Sequence, residues 1–193
     1  MKEKEGVLEL NLNEWFEKGM TAEEYINSMT KNKEEMLSIY EGFRATAADK
    51  QTLESVKEKG LRVLVLTEDW CGDAMLNNPI LLRIVEAAGM QVRFLLRDQN
   101  LELMDQYLTN GTSRAIPIFI FIDQEGTEVS VWGPRATEMQ ELVAKGRAAL
   151  PDKEAPDFQE KQIALYKSLG KAYQEDSSIW QTVATSIIKN LIK

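Results

Sequence analysis

The chain is 193 residues long, 44% hydrophobic and carries a formal charge of −8, a composition that suits a folded domain with added helices and argues against disorder. The acidic balance argues against nucleic-acid backbones and anionic membrane surfaces as partners, and no stretch reaches the ~20 apolar residues that cross a bilayer. A single cysteine and no histidine exclude an internal disulfide framework, His-based triads and most zinc sites, and they suit a reducing compartment, with the cytoplasm as the expected location.

The start, Met1 to Gly6, lacks the apolar run of a secretory signal. Helices are then expected near 12–18, closed by Gly19; near 22–29, opened by the capping-box pattern Thr21-Ala22-Glu23-Glu24; and near 32–44 and 47–59. Tyr25, Ile26, Met29, Met36, Leu37, Ile39, Tyr40 and Phe43 recur at helical spacing, so these helices have a buried face. Gly60 stops the last of them. Leu61 to Leu66 is a near-continuous apolar run, the pattern of a strand covered on both sides.

A helix runs from Cys71 to about Ala88, ended by Gly89, then a strand from Val92 to Leu96 and a helical stretch from Leu101 to Leu108 closed by Asn110-Gly111. Pro117 opens the strand Ile118 to Ile122, the turn Asp123 to Gly126 reverses the chain, and Thr127 to Trp132 alternates as its hairpin partner. Helices near 136–149, 157–174 and 178–192 complete the order, with Pro151 and Pro156 flanking a charged joint. The aromatic and Met-rich terminal helices, with Trp15, Phe16, Met36, Tyr40, Phe43, Tyr166, Tyr173 and Trp180, read as added core, with a partner or self-association surface as the alternative.

Cys71 sits where the strand pattern gives way to the helical one. The first turn of a helix presents unpaired N–H groups and the positive end of the macrodipole, both of which favour a thiolate, so the sulfur is expected at the surface as a nucleophile. Asp73 opposes this with a carboxylate two residues away, while suiting the helix N-terminus. Trp70 reads as a cover beside the turn. Glu68, Asp69 and Asp73 read as a solvated acidic rim, because hard carboxylates with one soft thiolate make a poor metal set; no metal and no cofactor are expected. Arg114 reads as a solvated loop cation, with help to the thiolate as the alternative.

Strand, Trp70-Cys71-Gly72 at a helix start, strand, helix, Ile116-Pro117 opening a strand, hairpin and final helix together resemble the thioredoxin-like fold over roughly residues 50–150. Pro79, eight positions after Cys71, resembles the proline that kinks the active-site helix there, and Ile116-Pro117 resembles the cis-proline that faces the thiol. The run Trp70-Cys71-Gly72-Asp73 and the helical start are closer to a bacterial thioredoxin-related family than to thioredoxin itself. The resemblance implies an α/β fold with a mixed four-stranded sheet flanked by helices, a helical N-terminal extension over 1–49, a thioredoxin-like domain over 50–150 and a helical C-terminal extension over 151–193 packing on it. Ala74 stands where thioredoxins carry the second cysteine, so the dithiol cycle is unavailable within one chain.

The resemblance and the missing second cysteine together imply a monothiol protein. Cys71 would form mixed disulfides with protein or low-molecular-weight thiols, supported by Trp70, Gly72 and Asp73, while the backbone of Ile116 beside Pro117 pairs with an extended partner segment. The alternative is a thioredoxin-like interaction module that keeps the groove and has lost turnover. An iron–sulfur carrier of the monothiol glutaredoxin kind is the weaker third reading, since Cys-Gly-Asp-Ala differs from Cys-Gly-Phe-Ser and one chain supplies one thiolate.

Overall fold

The computed structural model describes residues 11–193; Met1 to Gly6, the start that lacks a signal-like run, lies outside them. The chain runs α1 (Leu12–Lys18), α2 (Ala22–Ser28), α3 (Lys33–Gly42), α4 (Ala47–Lys57), β1 (Arg62–Thr67), α5 (Gly72–Ala88), β2 (Gln91–Leu96), α6 (Leu101–Met104), β3 (Ile118–Ile122), β4 (Glu128–Trp132), α7 (Thr137–Ala148), α8 (Phe158–Glu175) and α9 (Ser177–Leu191). The strands form one mixed sheet in the order β2-β1-β3-β4. β1 is parallel to β2 and antiparallel to β3, and β4 returns antiparallel to β3. This is the mixed four-stranded sheet flanked by helices that the sequence pattern implies. No helix among the described residues is long and apolar enough to cross a membrane.

β1 is buried along its whole length because both faces of the sheet are covered. Side chains alternate across a strand, so Val63 and Val65 join Phe119 and Phe121 in a core closed by α3, α4, α5 and α9. Leu64 and Leu66 face the other way, with Ile118, Ile120 and Ile122, under Leu12 and Phe16 of α1 and Leu103 and Met104 of α6. Cys71 and Ala74 belong to this second core, which places the thiol at the end of the central strand where the chain turns into α5. On the first face Tyr25 of α2 stacks on Phe94 of β2 with ring centroids 4.5 Å apart. Its hydroxyl also lies 3.3 Å from the Thr67 hydroxyl, which accepts from Asn78 of α5 at 2.9 Å.

The N-terminal helices are held by local chemistry as well as by burial. Thr21 accepts from the Glu24 amide while the Glu24 carboxylate accepts from the Thr21 amide at 2.7 Å, closing the capping box. Thr21→Ala removes one half of this exchange at an exposed helix start. It is expected to lower unfolding free energy by about 1 kcal/mol, read as a shifted denaturant midpoint at unchanged slope.

One element departs from the expected order. The helical stretch anticipated from Leu101 to Leu108 stops at Met104, preceded by a short 3₁₀ turn over Arg97–Gln99. Leu103 and Met104 are buried, but beyond them the chain closes into a loop fixed by a bridge between Thr109 and Ser113 and by an Asp105–Arg114 ion pair at 2.7 Å. A contact across nine residues ends the helix, and the spacing of leucines carries no sign of it.

Two proline peptide bonds are cis, Ile116–Pro117 and Gly133–Pro134, and the two loops touch. Gly133 has φ of +130°, and a Cβ placed there would fall 2.3 Å from the Pro117 carbonyl oxygen, so only glycine fits this approach. The contact fixes the start of the segment that leads to Arg135.

Candidate functional site

Cys71 is the N-cap of α5, and its sulfhydryl donates to the Ile116 carbonyl oxygen at 3.5 Å. Only 9% of the residue is exposed. Burial pushes the thiol up to about 11, and the charge of Asp73 adds to the rise. The amides of Ala74 and Asp73 and the guanidinium of Arg135 act in the opposite direction without offsetting it, and no amide reaches a capping hydrogen bond with the sulfur. The expectation of an exposed, activated thiolate is therefore corrected: the helix N-terminus is present, but desolvation and a neighbouring carboxylate outweigh it.

The acidic side chains are not the solvated rim that the sequence suggests. Asp73 forms a two-pronged pair with Arg135, Nε to Oδ1 at 2.9 Å and Nη2 to Oδ2 at 2.6 Å, and the Tyr173 hydroxyl donates to the same Oδ1 at 3.3 Å. Both charged side chains are nearly dry, 13% and 14% exposed. Burial works against the charge of Arg135, but Asp73 more than compensates and holds the guanidinium protonated above its usual range. Asp69 accepts from the Thr30 amide and hydroxyl and the Lys31 amide. Partial burial would raise its pKa; these donors outweigh that and lower it. Glu68 is buried and accepts from the Asp98 amide at 2.9 Å, with burial raising its carboxyl. Two of these three carboxylates tie neighbouring segments to the Cys71 turn, and the third ties it to α8. Among the described residues no group of three or more acidic or cysteine side chains is placed to hold a metal ion.

Trp70 is 45% exposed, with the Arg97 guanidinium 5.0 Å from its ring centroid. A Cβ on Gly72 would meet nothing within 4 Å, so the turn is open on that side. Ile116 and Pro117 are both buried. The Ile116 carbonyl oxygen accepts from the Cys71 sulfhydryl. Arg114 lies on the surface in its pair with Asp105, as a solvated cation should.

The opening onto Cys71 lies on a different side, in a cleft of about 340 Å³ between the start of α5, the Arg135 segment, α7 and α8. Its inner surface is Cys71, Asp73, Val143, Leu169 and Tyr173, all buried or nearly so, and its rim carries Trp70, Arg147 and Tyr166. Sequence reasoning missed this wall. Tyr166, Leu169, Gly170 and Tyr173 succeed one another at helical spacing along α8, and Arg135 comes after a Gly-Pro pair that closes a strand. Both are visible patterns, but neither names the thiol as its target.

A family model described as Thioredoxin matches residues 19–151. No curated protein matches the chain. Among solved structures the fold is similar to that of a protein of unknown function from Pseudomonas aeruginosa, with a TM-score of 0.65 at 16% identity over 93% of this chain and 98% of that one. An HIV epitope-scaffold gives a TM-score of 0.58 at 16% identity over 90% and 97% of the two chains. Fasciola hepatica thioredoxin matches 52% of this chain and 94% of its own at 28% identity, with a TM-score of 0.33.

Proposed function

Since its match spans residues 19–151, the chain belongs to the thioredoxin family, and from that premise we propose that it is a single-thiol exchange protein acting through Cys71. The observation that carries this reading is the position of the sulfur. It stands at the start of α5, against the Ile116 carbonyl, and lines a cleft that opens to solvent. The run Trp70-Cys71-Gly72-Asp73 is read as the mark of a single-cysteine branch of the family, and the proposed setting is the cytoplasm, where one thiol stays reduced.

With Ala74 in place of a second cysteine, turnover needs an outside thiol. Cys71 gives up its proton and attacks one sulfur of a disulfide. A bond forms between the sulfurs as the old one breaks, and the leaving thiolate takes the electron pair and a proton. A second external thiolate then attacks the substrate-derived sulfur, making a new external disulfide and returning Cys71. One disulfide is consumed and another made, so the step needs no further oxidant or reductant. Trp70 and Gly72 shape the turn, and Asp73 sets the charge beside the sulfur and holds Arg135.

A second reading, a binding module without turnover, draws support from the burial of the thiol and its pKa near 11. The two separate in one experiment. Native protein incubated with 2-hydroxyethyl disulfide is expected to gain the mass of one mercaptoethanol unit, to lose it on addition of a thiol, and to show no adduct in Cys71→Ser. An adduct that forms only after denaturant is added, together with no exchange between the native protein and a disulfide-bonded protein, gives the module reading instead.

A further inference from the structure

The cleft beside Cys71 has a chemistry of its own. Three charged side chains line it: Asp73, Arg135 and Arg147. Asp73 and Arg135 cancel each other in their two-pronged pair, and the thiol is neutral at rest, so the cleft keeps the single positive charge of Arg147. Arg147 has no carboxylate within ion-pair distance among the described residues. Its Nε donates to the Tyr166 hydroxyl at 3.1 Å, and its guanidinium lies 5.8 Å from the Tyr166 ring centroid. The rest of the wall is apolar or aromatic, from Val143, Leu169, Tyr173 and Trp70. A guanidinium without a carboxylate partner on the rim of an apolar cleft is ready to take one, which it can bind with two parallel N–H donors.

Size and access narrow the ligand further. At about 340 Å³ the cleft is at the small end of ligand pockets, and one turn after another of α8, from Tyr166 to Tyr173, walls one side of it. Ile116 and Pro117, the backbone that would pair with an extended chain, are buried. The chain as a whole carries −8, which repels anions, so any preference for an acidic ligand must come from this local charge.

We propose that the cleft is a binding site for low-molecular-weight disulfides bearing a carboxylate, which Arg147 and the Tyr166 hydroxyl hold while one disulfide sulfur lies against Cys71. The proposal rests on the exchange reading and adds its substrate class. The covalent step is unchanged: the bond to Cys71 forms as the ligand's disulfide breaks, and the leaving half departs as its thiol.

The test compares three small disulfides of similar length and different charge: 3,3′-dithiodipropionate, 2-hydroxyethyl disulfide and cystamine. Rates of adduct formation at Cys71 are read by intact mass and divided by the rates of the same reagents with a free cysteine peptide. The dianionic disulfide is expected to lead, and Arg147→Gln to lower the ratio of its normalised rate to that of the neutral reagent about two- to fivefold, the size expected of one exposed ion pair. Lys145→Gln, which makes the same charge change on an exposed turn of α7 outside the cleft, is expected to keep the preference. Equal normalised rates for all three reagents, or a preference that survives Arg147→Gln, overturns the proposal and leaves the exchange reading intact. Exchange with a disulfide-bonded protein but with none of the small reagents does the same. Silence of Cys71 toward every disulfide overturns both.

Discussion

Iodoacetamide added to the native protein at pH 7 is expected to alkylate Cys71 at about one-hundredth of the rate of an unstructured cysteine or slower, because only the thiolate reacts and its pKa is raised from about 9 to about 11. The rate should climb about tenfold per pH unit toward pH 11, since the thiolate fraction does so below the pKa. Mass spectrometry of timed samples across pH 7 to 10 reads both features. A plateau already reached below pH 8 would mean that the helix N-terminus and the amides of Asp73 and Ala74 outweigh burial. The same shift has a stability consequence with a fixed sign. The folded state keeps its thiol proton to higher pH than the unfolded chain, so this contribution is complete below pH 9 and is lost as pH rises through about 11. A protein of this kind is a slow nucleophile at rest. Exchange then depends on what occupies the cleft, because a disulfide held against the sulfur raises its local concentration without any change in pKa.

Most of the architecture is legible in the sequence because most elements carry a local start or stop signal. Gly89 ends α5 in the left-handed conformation with φ of +63°, Thr21 and Thr46 open α2 and α4 with closed capping boxes, and the run Ile118 to Ile122 is buried as its composition demands. Where sequence and structure part, the deciding contact comes from far along the chain. Asp69 finds Thr30, 39 residues upstream, and Asp73 finds Arg135, 62 residues downstream, and Tyr173, 100 residues downstream. A carboxylate without its partner in view looks solvated. The thiol looks exposed for the same reason. Its position at a strand-to-helix turn is set by local pattern, whereas its burial comes from the core it shares with Ile116 and Ile118, more than forty residues along the chain, which no local spacing encodes.

The Asp73–Arg135 pair is where stability and reactivity meet, and Arg135→Leu is expected to cost about 3 kcal/mol of unfolding free energy, because it strands a nearly dry carboxylate with only the Tyr173 hydroxyl as partner. Asp73→Asn should cost less, since its amide oxygen can still accept from Arg135 and Tyr173. The double variant Asp73→Leu with Arg135→Leu should recover much of the loss, as removing both charges removes the stranded one. Denaturant titration of wild type, Asp73→Leu, Arg135→Leu and the double variant closes the cycle, and a loss below about 1 kcal/mol for Arg135→Leu alone would show that solvent screens the pair. Reactivity moves in opposite directions in the two single variants. Asp73 raises the Cys71 pKa and Arg135 lowers it, so Asp73→Asn should speed alkylation and Arg135→Leu should slow it. A merely structural role for the pair would make both variants looser and both faster. Opposite signs therefore identify Asp73 and Arg135 as the charges that set how readily this thiol ionises.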